Sequence, residues 1–340
     1  MPKNNYSPKH KIIGIGNAIM DYFCNVDDEF LIKNSLNKGS MTLITKEQFN
    51  ILNKLSIEKF SSGGSVANTI NSLAQLLNDS PEFITSFIGS IGNDLAGQQF
   101  MNDIKINNIE FIGQINSDKE TASSFIFITP DGQRTMCTYL GCSPFINGKS
   151  LEPQHFIDCK ILYIEGYLWD DANTIEAIRN AIKIAKQHHC KIALSLSDSF
   201  CVDRHQQEFI QLISQDIDIL FANEMEINKL CGIKEYNSDY IKNFIAKLNQ
   251  NIMLATTLGY KGCEIYYQHK HFSIPTTAIK PLDSTGAGDN FASGFLYGLI
   301  KDFEIKKCAE LGNIMAINII KKIGARFYFE EINNLKKILL

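Results

Sequence analysis

The chain has 340 residues, 44% of them hydrophobic and 21% charged, which is the composition of a globular protein with a sizeable core. Its 33 basic and 37 acidic residues leave a net charge of −4 with no basic block, which argues against a nucleic-acid surface and for small metabolites as partners. Nine cysteines, an odd number without a C-x-x-C, argue for buried thiols in a reducing compartment rather than a disulfide or zinc framework. No stretch approaches about 18 uncharged apolar residues and no secretion signal is read, so no membrane span is expected and the expected location is the cytoplasm.

From the N-terminus, KIIGIGNAI (11–19) predicts a buried strand. Its GIGNAI imitates a dinucleotide fingerprint, but Ile19 stands where the third glycine belongs, so a Rossmann oxidoreductase is a weak rival. Residues 22–62 show little helical period. SVANTINSLAQLLND (65–79) spaces Val66, Ile70, Leu73 and Leu77 as one helical face. A strand (82–90) and a helix (94–107) follow. Residues 121–140 read as two extended runs around Pro130-Asp131-Gly132, a hairpin signal. SPFINGKS (143–150) imitates a phosphate loop, but Ser143 replaces the required glycine and Pro144 sits where the loop should wrap. Then strands KILYIEGY, KIALSLS, DIDILFAN and IMLATTLG alternate with helices at 171–187, 205–214 and 238–249, and two helices, 288–300 and 304–322, close the chain. Such alternation predicts an α/β fold with a largely parallel sheet covered on both faces. The two irregular stretches, 22–62 and 121–140, are expected to form a small β-rich lid, with the core drawn from 1–21, 63–120 and 141–340.

The most informative segment is DSTGAGDNFASGFLYGL (283–299). Glycines at the mouth of a helix leave unpaired N–H groups open to a phosphate, where the macrodipole also favours negative charge. A carboxylate in that place, Asp289, suits proton chemistry beside a phosphate that arrives with a substrate, although Asp is also a common helix cap.

SSGGSVANT (61–69), SIGNDLAG (90–97), NEMEIN (223–228), TLGYKG (257–262) and DSTGAGDNFASGF (283–295) resemble, in order and spacing, the motifs of the ribokinase-like (PfkB) small-molecule kinases. Within that family, IIGIGNAIMD and KIALSLSDSF with DIDILFANEMEINKL are similar to adenosine-kinase segments. The resemblance implies an open, mostly parallel α/β core with a lid, Mg-ATP as donor and a sugar-type hydroxyl as acceptor. It makes Asp289 the general base and Gly286, Ala287 and Gly288 the anion hole. It gives the acceptor to Asn17, Asp21, Gly63, Gly64 and Asn68, and lets Arg134 reach the transferred phosphate. Asn223 and Glu226 would meet phosphate and Mg²⁺ through water, although Asn-x-x-Glu also has the form of a capping box. Thr257, Gly259, Gly262 and Asn313 would serve the nucleotide, and Asp283 with Thr285 a monovalent cation such as K⁺. The Val66-Ala67 pair before Asn68 is closer to the sugar-kinase pattern. Adenosine therefore stands beside ribose, fructose or a ketodeoxy sugar acid as acceptor, and a non-catalytic nucleoside- or sugar-binding protein is the rival of another class. Either a monomer or a homodimer is compatible with the sequence.

Overall fold

The computed structural model describes residues 10–339 except 132, 147, 149 and 150; Gly132 of the expected turn and Lys149-Ser150 of the phosphate-loop look-alike lie outside the described residues. Its centre is a nine-stranded sheet. Seven strands run parallel, in spatial order Met253–Thr257, Ile219–Asn223, Lys191–Ser195, Cys159–Glu165, His10–Ile15, Phe83–Ile88 and Glu110–Phe111. An antiparallel hairpin, Cys263–Tyr267 and Lys270–Ile274, finishes one edge.

Strands buried on both faces need apolar residues at successive positions. Ile12, Phe87, Ile161 and Tyr163 join one apolar cluster with helices Ser65–Leu76, Ala287–Ile300 and Ile305–Ile319. Ile13, Ile15, Leu162 and Ile164 join a second with helices Ala172–Gln187, Ser199–Gln215 and Ser238–Leu248. The expected arrangement of helices on both faces is therefore present. All nine cysteines are free and buried, and no helix among the described residues is long and apolar enough to cross a membrane.

A separate five-stranded sheet has the order Met41–Leu43, Arg134–Tyr139, Ala122–Ile128, Ile19–Asn25, Lys59–Gly63. Period-2 alternation gives it two unlike faces. Cys24, Phe125, Phe127 and Cys137 pack under two short helices, Asp28–Lys33 and Lys46–Leu52, through Leu31, Phe49 and Leu52. The alternate residues Ser124, Ile126, Arg134, Met136 and Thr138 face a cleft against the large sheet.

Several elements depart from the sequence expectation. The single strand over 11–19 is two strands in different sheets, because the Asn17 N–H bonds the Glu165 carboxylate (2.8 Å) instead of continuing a ladder. Asp21 is thus the third residue of the second strand, and the small sheet begins at Ile19 rather than after 21. Helix Ser199–Gln215 starts six residues earlier than the period suggested, since a break at His205 (φ −124, ψ 23) changes its face there. The edge hairpin and a last helix, Phe329–Leu339, were not anticipated.

Candidate active site

A cleft of about 770 Å³ lies between the two sheets. Four strands of the large sheet end in it: Glu165, Ser195, Asn223 and Thr257 are their last residues and all line it. Open parallel sheets bind ligands at this carboxyl edge. Two helix N-termini meet there, those of Ser65–Leu76 and Ala287–Ile300. Both start on a glycine with left-handed φ. Gly64 (φ 89) also presses so close to the Asn17 carbonyl that a Cβ would stand 2.1 Å from it, and a Cβ on Gly63 would stand 2.2 Å from the Asp21 carboxylate. The paired glycines let the chain leave the small sheet, pass under Asp21 and enter a helix without strain.

Asp289 does not cap its helix; Gly286 holds the cap position. The carboxylate instead reaches the other helix. Ser65 Oγ donates to Oδ1 (2.6 Å) and Asn68 Nδ2 donates to Oδ2 (3.0 Å). Burial raises its pKa to about 6, and the Ser65 and Asn68 donors and the Arg326 guanidinium hold it from going higher. Asp21 is raised further, to about 7, by burial, with Arg326 as the main opposing influence. Gly286, Ala287 and Gly288 line the same end of the cleft, where the helix dipole is positive.

Of the residues singled out from sequence, Asn17, Asp21, Gly64, Asn68, Arg134, Asn223, Glu226, Thr257, Asp283, Thr285, Gly286, Ala287, Gly288 and Asp289 line this cleft. Gly63 lies behind Asp21. Gly259, Gly262 and Asn313 do not line it; Asn313 Nδ2 donates instead to the Ile274 carbonyl (3.2 Å), pinning the edge strand. Asn223 and Glu226 form the capping box: Asn223 Oδ1 accepts from the Glu226 N–H (2.9 Å), and the Glu226 carboxylate accepts from the Asn223 N–H (2.9 Å) and Nδ2 (2.5 Å). Both still face the cleft, and burial lifts Glu226 to about 7.

Arg134 leaves the lid sheet to meet the core. Its Nη2 lies 2.7 Å from Asp283 Oδ2 and its Nη1 donates to Thr285 Oγ1 (2.7 Å). The Asp283 side chain is fully buried, and its oxygens also accept from the N–H groups of Thr285 (2.8 Å) and Gly324 (2.7 Å).

Three residues that the sequence reading missed complete the site. Ser65 is the first. Glu165 is the second: Oε1 accepts from the Asn17 N–H (2.8 Å) and Nδ2 (2.7 Å), and Oε2 from the Val66 N–H (2.9 Å). Burial still pushes Glu165 up to about 7 against those donors. Its place at the carboxyl end of a parallel strand is a signal that sequence reading could have used. Arg326 is the third, and nothing periodic announces it.

The model of the pfkB family carbohydrate kinases matches residues 37–332. The fold is similar to that of the adenosine kinase from Sinorhizobium meliloti, with 32% identity, a TM-score of 0.88, and 97% of this chain and 99% of that one covered. A probable sugar kinase from Rhizobium etli CFN 42 is similar to the same degree, with 32% identity, a TM-score of 0.87 and 98% and 100% covered. Among curated sequences, adenosine kinase of Saccharomyces cerevisiae is 24% identical over 95% of this chain and 98% of its own.

Proposed function

Because the chain belongs to the pfkB family of carbohydrate kinases, we propose that this ATP-dependent small-molecule kinase of ribokinase-like fold phosphorylates a ribose-type hydroxyl of a nucleoside, with adenosine as the favoured acceptor. One observation carries the nucleoside over a free sugar. The cleft wall around Asp21 carries Ile19, Met41, Leu43, Ile126, Met136 and Leu140, with Ser124, Gln133, Arg134 and Thr138 set among them. The apolar side chains suit a purine face and the polar ones among them its edge, whereas a free sugar would leave the apolar part uncovered. The Val66-Ala67 pair that resembles sugar kinases is buried in the core and does not line the cleft, so it bears little on the acceptor.

In this reading Asp21 and Asn17 hold the vicinal hydroxyls and Asp289 faces the reacting one. The acceptor oxygen bonds to the γ-phosphorus as the bond from phosphorus to the bridging oxygen of ADP breaks. The hydroxyl proton passes to the Asp289 carboxylate, and ADP leaves with the electron pair. Charge that spreads over the transferring group meets the N–H end of helix Ala287–Ile300. Among the described residues no three acidic, His or Cys side chains converge as a metal cage. Mg²⁺, which keeps most of its waters, fits this donor set: Asn223 and Glu226 would hold those waters, and the ion would neutralise the phosphates.

A panel of nucleosides and sugars with Mg-ATP, scored by ADP release, tests the acceptor. Adenosine should exceed ribose and fructose in kcat/KM by at least about 100-fold. Asp21→Asn should raise the acceptor KM by about tenfold and leave the ATP KM within a few-fold, since a charge-assisted hydrogen bond is lost on one substrate only. A free sugar turning over best would replace the nucleoside reading. A tight ligand with no ADP released would replace it with a binding protein.

A monovalent cation does not fit beside Asp283. Its carboxylate already receives two backbone N–H groups and the Arg134 guanidinium. Turnover should therefore change by less than about twofold when potassium is replaced by tetramethylammonium at equal ionic strength, the guanidinium being the pair's own cation. Activation by potassium of about tenfold or more, over 1 kcal/mol of barrier, would show that the arginine yields its place.

A further inference from the structure

We propose that Arg326 is a positioning residue for phosphoryl transfer: its guanidinium fixes the orientation of the Asn68 amide, and through that amide the aim of the Asp289 carboxylate. The inference rests on the reading of Asp289 as general base.

A guanidinium has only donors, a carboxylate only acceptors, and an amide one of each. Arg326 Nε donates to Asn68 Oδ1 (3.0 Å), and Asn68 Nδ2 donates to Asp289 Oδ2 (3.0 Å). Turning the amide over would set two donors face to face at Arg326 and two acceptors face to face at Asp289. With Arg326 in place only one orientation is allowed. Without it the Asp289 carboxylate alone opposes the turn, and once that carboxylate takes up a proton the amide can turn and leave it only Ser65 as a side-chain partner. Arg326 is itself held: Nη2 donates to the Gly63 carbonyl (3.3 Å), Nη1 lies 4.0 Å from Asp103 Oδ2, and the guanidinium lies 5.8 Å from the Phe100 ring centre. It thus joins the turn that carries strand Lys59–Gly63 into helix Ser65–Leu76 to the wall behind it.

Charge adds to geometry. The groups that face Asp289 are Ser65 and Asn68 from its partner helix, Asp21 from the small sheet, Tyr163 and Glu165 from one central strand, Glu226 from beyond it, and Arg326. Arg326 faces Asp103, Asp21 and Asp289. Burial lowers its own pKa to about 10, so it stays cationic near neutrality. Its charge opposes the rise of both Asp21 and Asp289.

The test uses Arg326→Met, which keeps bulk and removes donors and charge, and Arg326→Lys, which keeps charge. Both are assayed with Mg-ATP and the best acceptor of the panel, next to Asn68→Ala, the double variant Arg326→Met/Asn68→Ala, and Asp289→Asn. Arg326→Met should lower kcat by about 10- to 100-fold, the scale of a misplaced catalytic group. Its ATP KM should stay within about threefold, and its acidic kcat/KM limb should rise by about one pH unit for the lost cation. Adding Arg326→Met to Asn68→Ala should cost less than about threefold more, because the arginine acts through the asparagine. Arg326→Lys should hold the limb in place and recover part of kcat. A limb that does not move together with multiplicative losses in the double variant overturns the proposal. So does an unimpaired Arg326→Met beside an inactive Asp289→Asn. Should Arg326→Met not fold, Arg326→Lys decides alone: a full loss of kcat or a shifted limb refutes. An active Asp289→Asn would refute the base assignment instead, and this inference with it.

Discussion

Asp289→Asn should lower kcat by about 10²- to 10⁴-fold while the KM for ATP stays within a few-fold. Asparagine fits the site. Its Oδ1 can accept from Asn68 Nδ2, and the Ser65 hydroxyl can turn to accept from its amide, so the two contacts that hold Asp289 survive in neutral form. What is lost, on the proposed role of Asp289, is the acceptor for the hydroxyl proton. Wild-type kcat at saturating acceptor should climb as pH rises through about 6, the value to which burial lifts Asp289, and that limb should vanish in the variant. Stability runs the other way. A carboxyl raised in the folded state contributes stability that is complete below its unfolded pKa and lost as pH rises through the folded one. Ionised Asp289 is therefore a burden on the fold above about pH 6, and the variant should melt no lower than wild type at pH 8. Turnover within a few-fold of wild type would remove Asp289 from the role of base. A much lower melting point at pH 8 would show that the loss came from misfolding.

What could be read from the sequence was what local chemistry demands. Gly286 and Gly288 beside Asp289 announce a helix mouth open to an anion because the left-handed backbone of Gly286 (φ 77) and the open space at Gly288 are demands of adjacent residues. The long helices were legible because their apolar period persists through several turns. The helices Asp28–Lys33 and Lys46–Leu52 have 6 and 7 residues, under two turns, too few to show a period. The break after Ile15 could not be seen because its cause is remote. The carboxylate that takes the Asn17 N–H stands 148 residues away. Arg326 and Asn68 are 258 residues apart, and each alone looks like an ordinary polar residue of a helix start or a loop. Thr257, Gly259 and Gly262 stand close enough in sequence to suggest one loop, yet only Thr257 lines the cleft. Gly262 is instead set by the antiparallel edge hairpin, where a Cβ would lie 2.1 Å from the Ile274 carbonyl, and that hairpin was absent from the sequence reading.

Glu165→Ala should destabilise the fold by about 3–5 kcal/mol and weaken acceptor binding with it. The side chain accepts from three N–H groups, two of Asn17 and one of Val66, in a place that is 1% exposed. Alanine would leave all three without an acceptor, at about 1–3 kcal/mol for each donor that water does not reach. Asn17 lines the cleft and would lose the contact that orients it, so the acceptor KM should rise more than the ATP KM. Glu165→Gln separates the two effects. Its one carbonyl oxygen can serve both Asn17 donors, while its amide N–H₂ opposes the Val66 N–H. It should therefore keep most acceptor affinity yet remain less stable than wild type. Burial raises Glu165 to about 7, so the ionised form that best serves three donors is also the form the interior resists. The wild type loses stability as pH rises from the ordinary carboxylate range through about 7, so the deficit of Glu165→Gln should be smaller at pH 8 than at pH 5. Thermal melts and acceptor KM values of both variants decide the matter. An alanine variant as stable as wild type but unable to bind acceptor would make Glu165 a direct substrate contact rather than the anchor of Asn17 and of the helix that begins at Ser65.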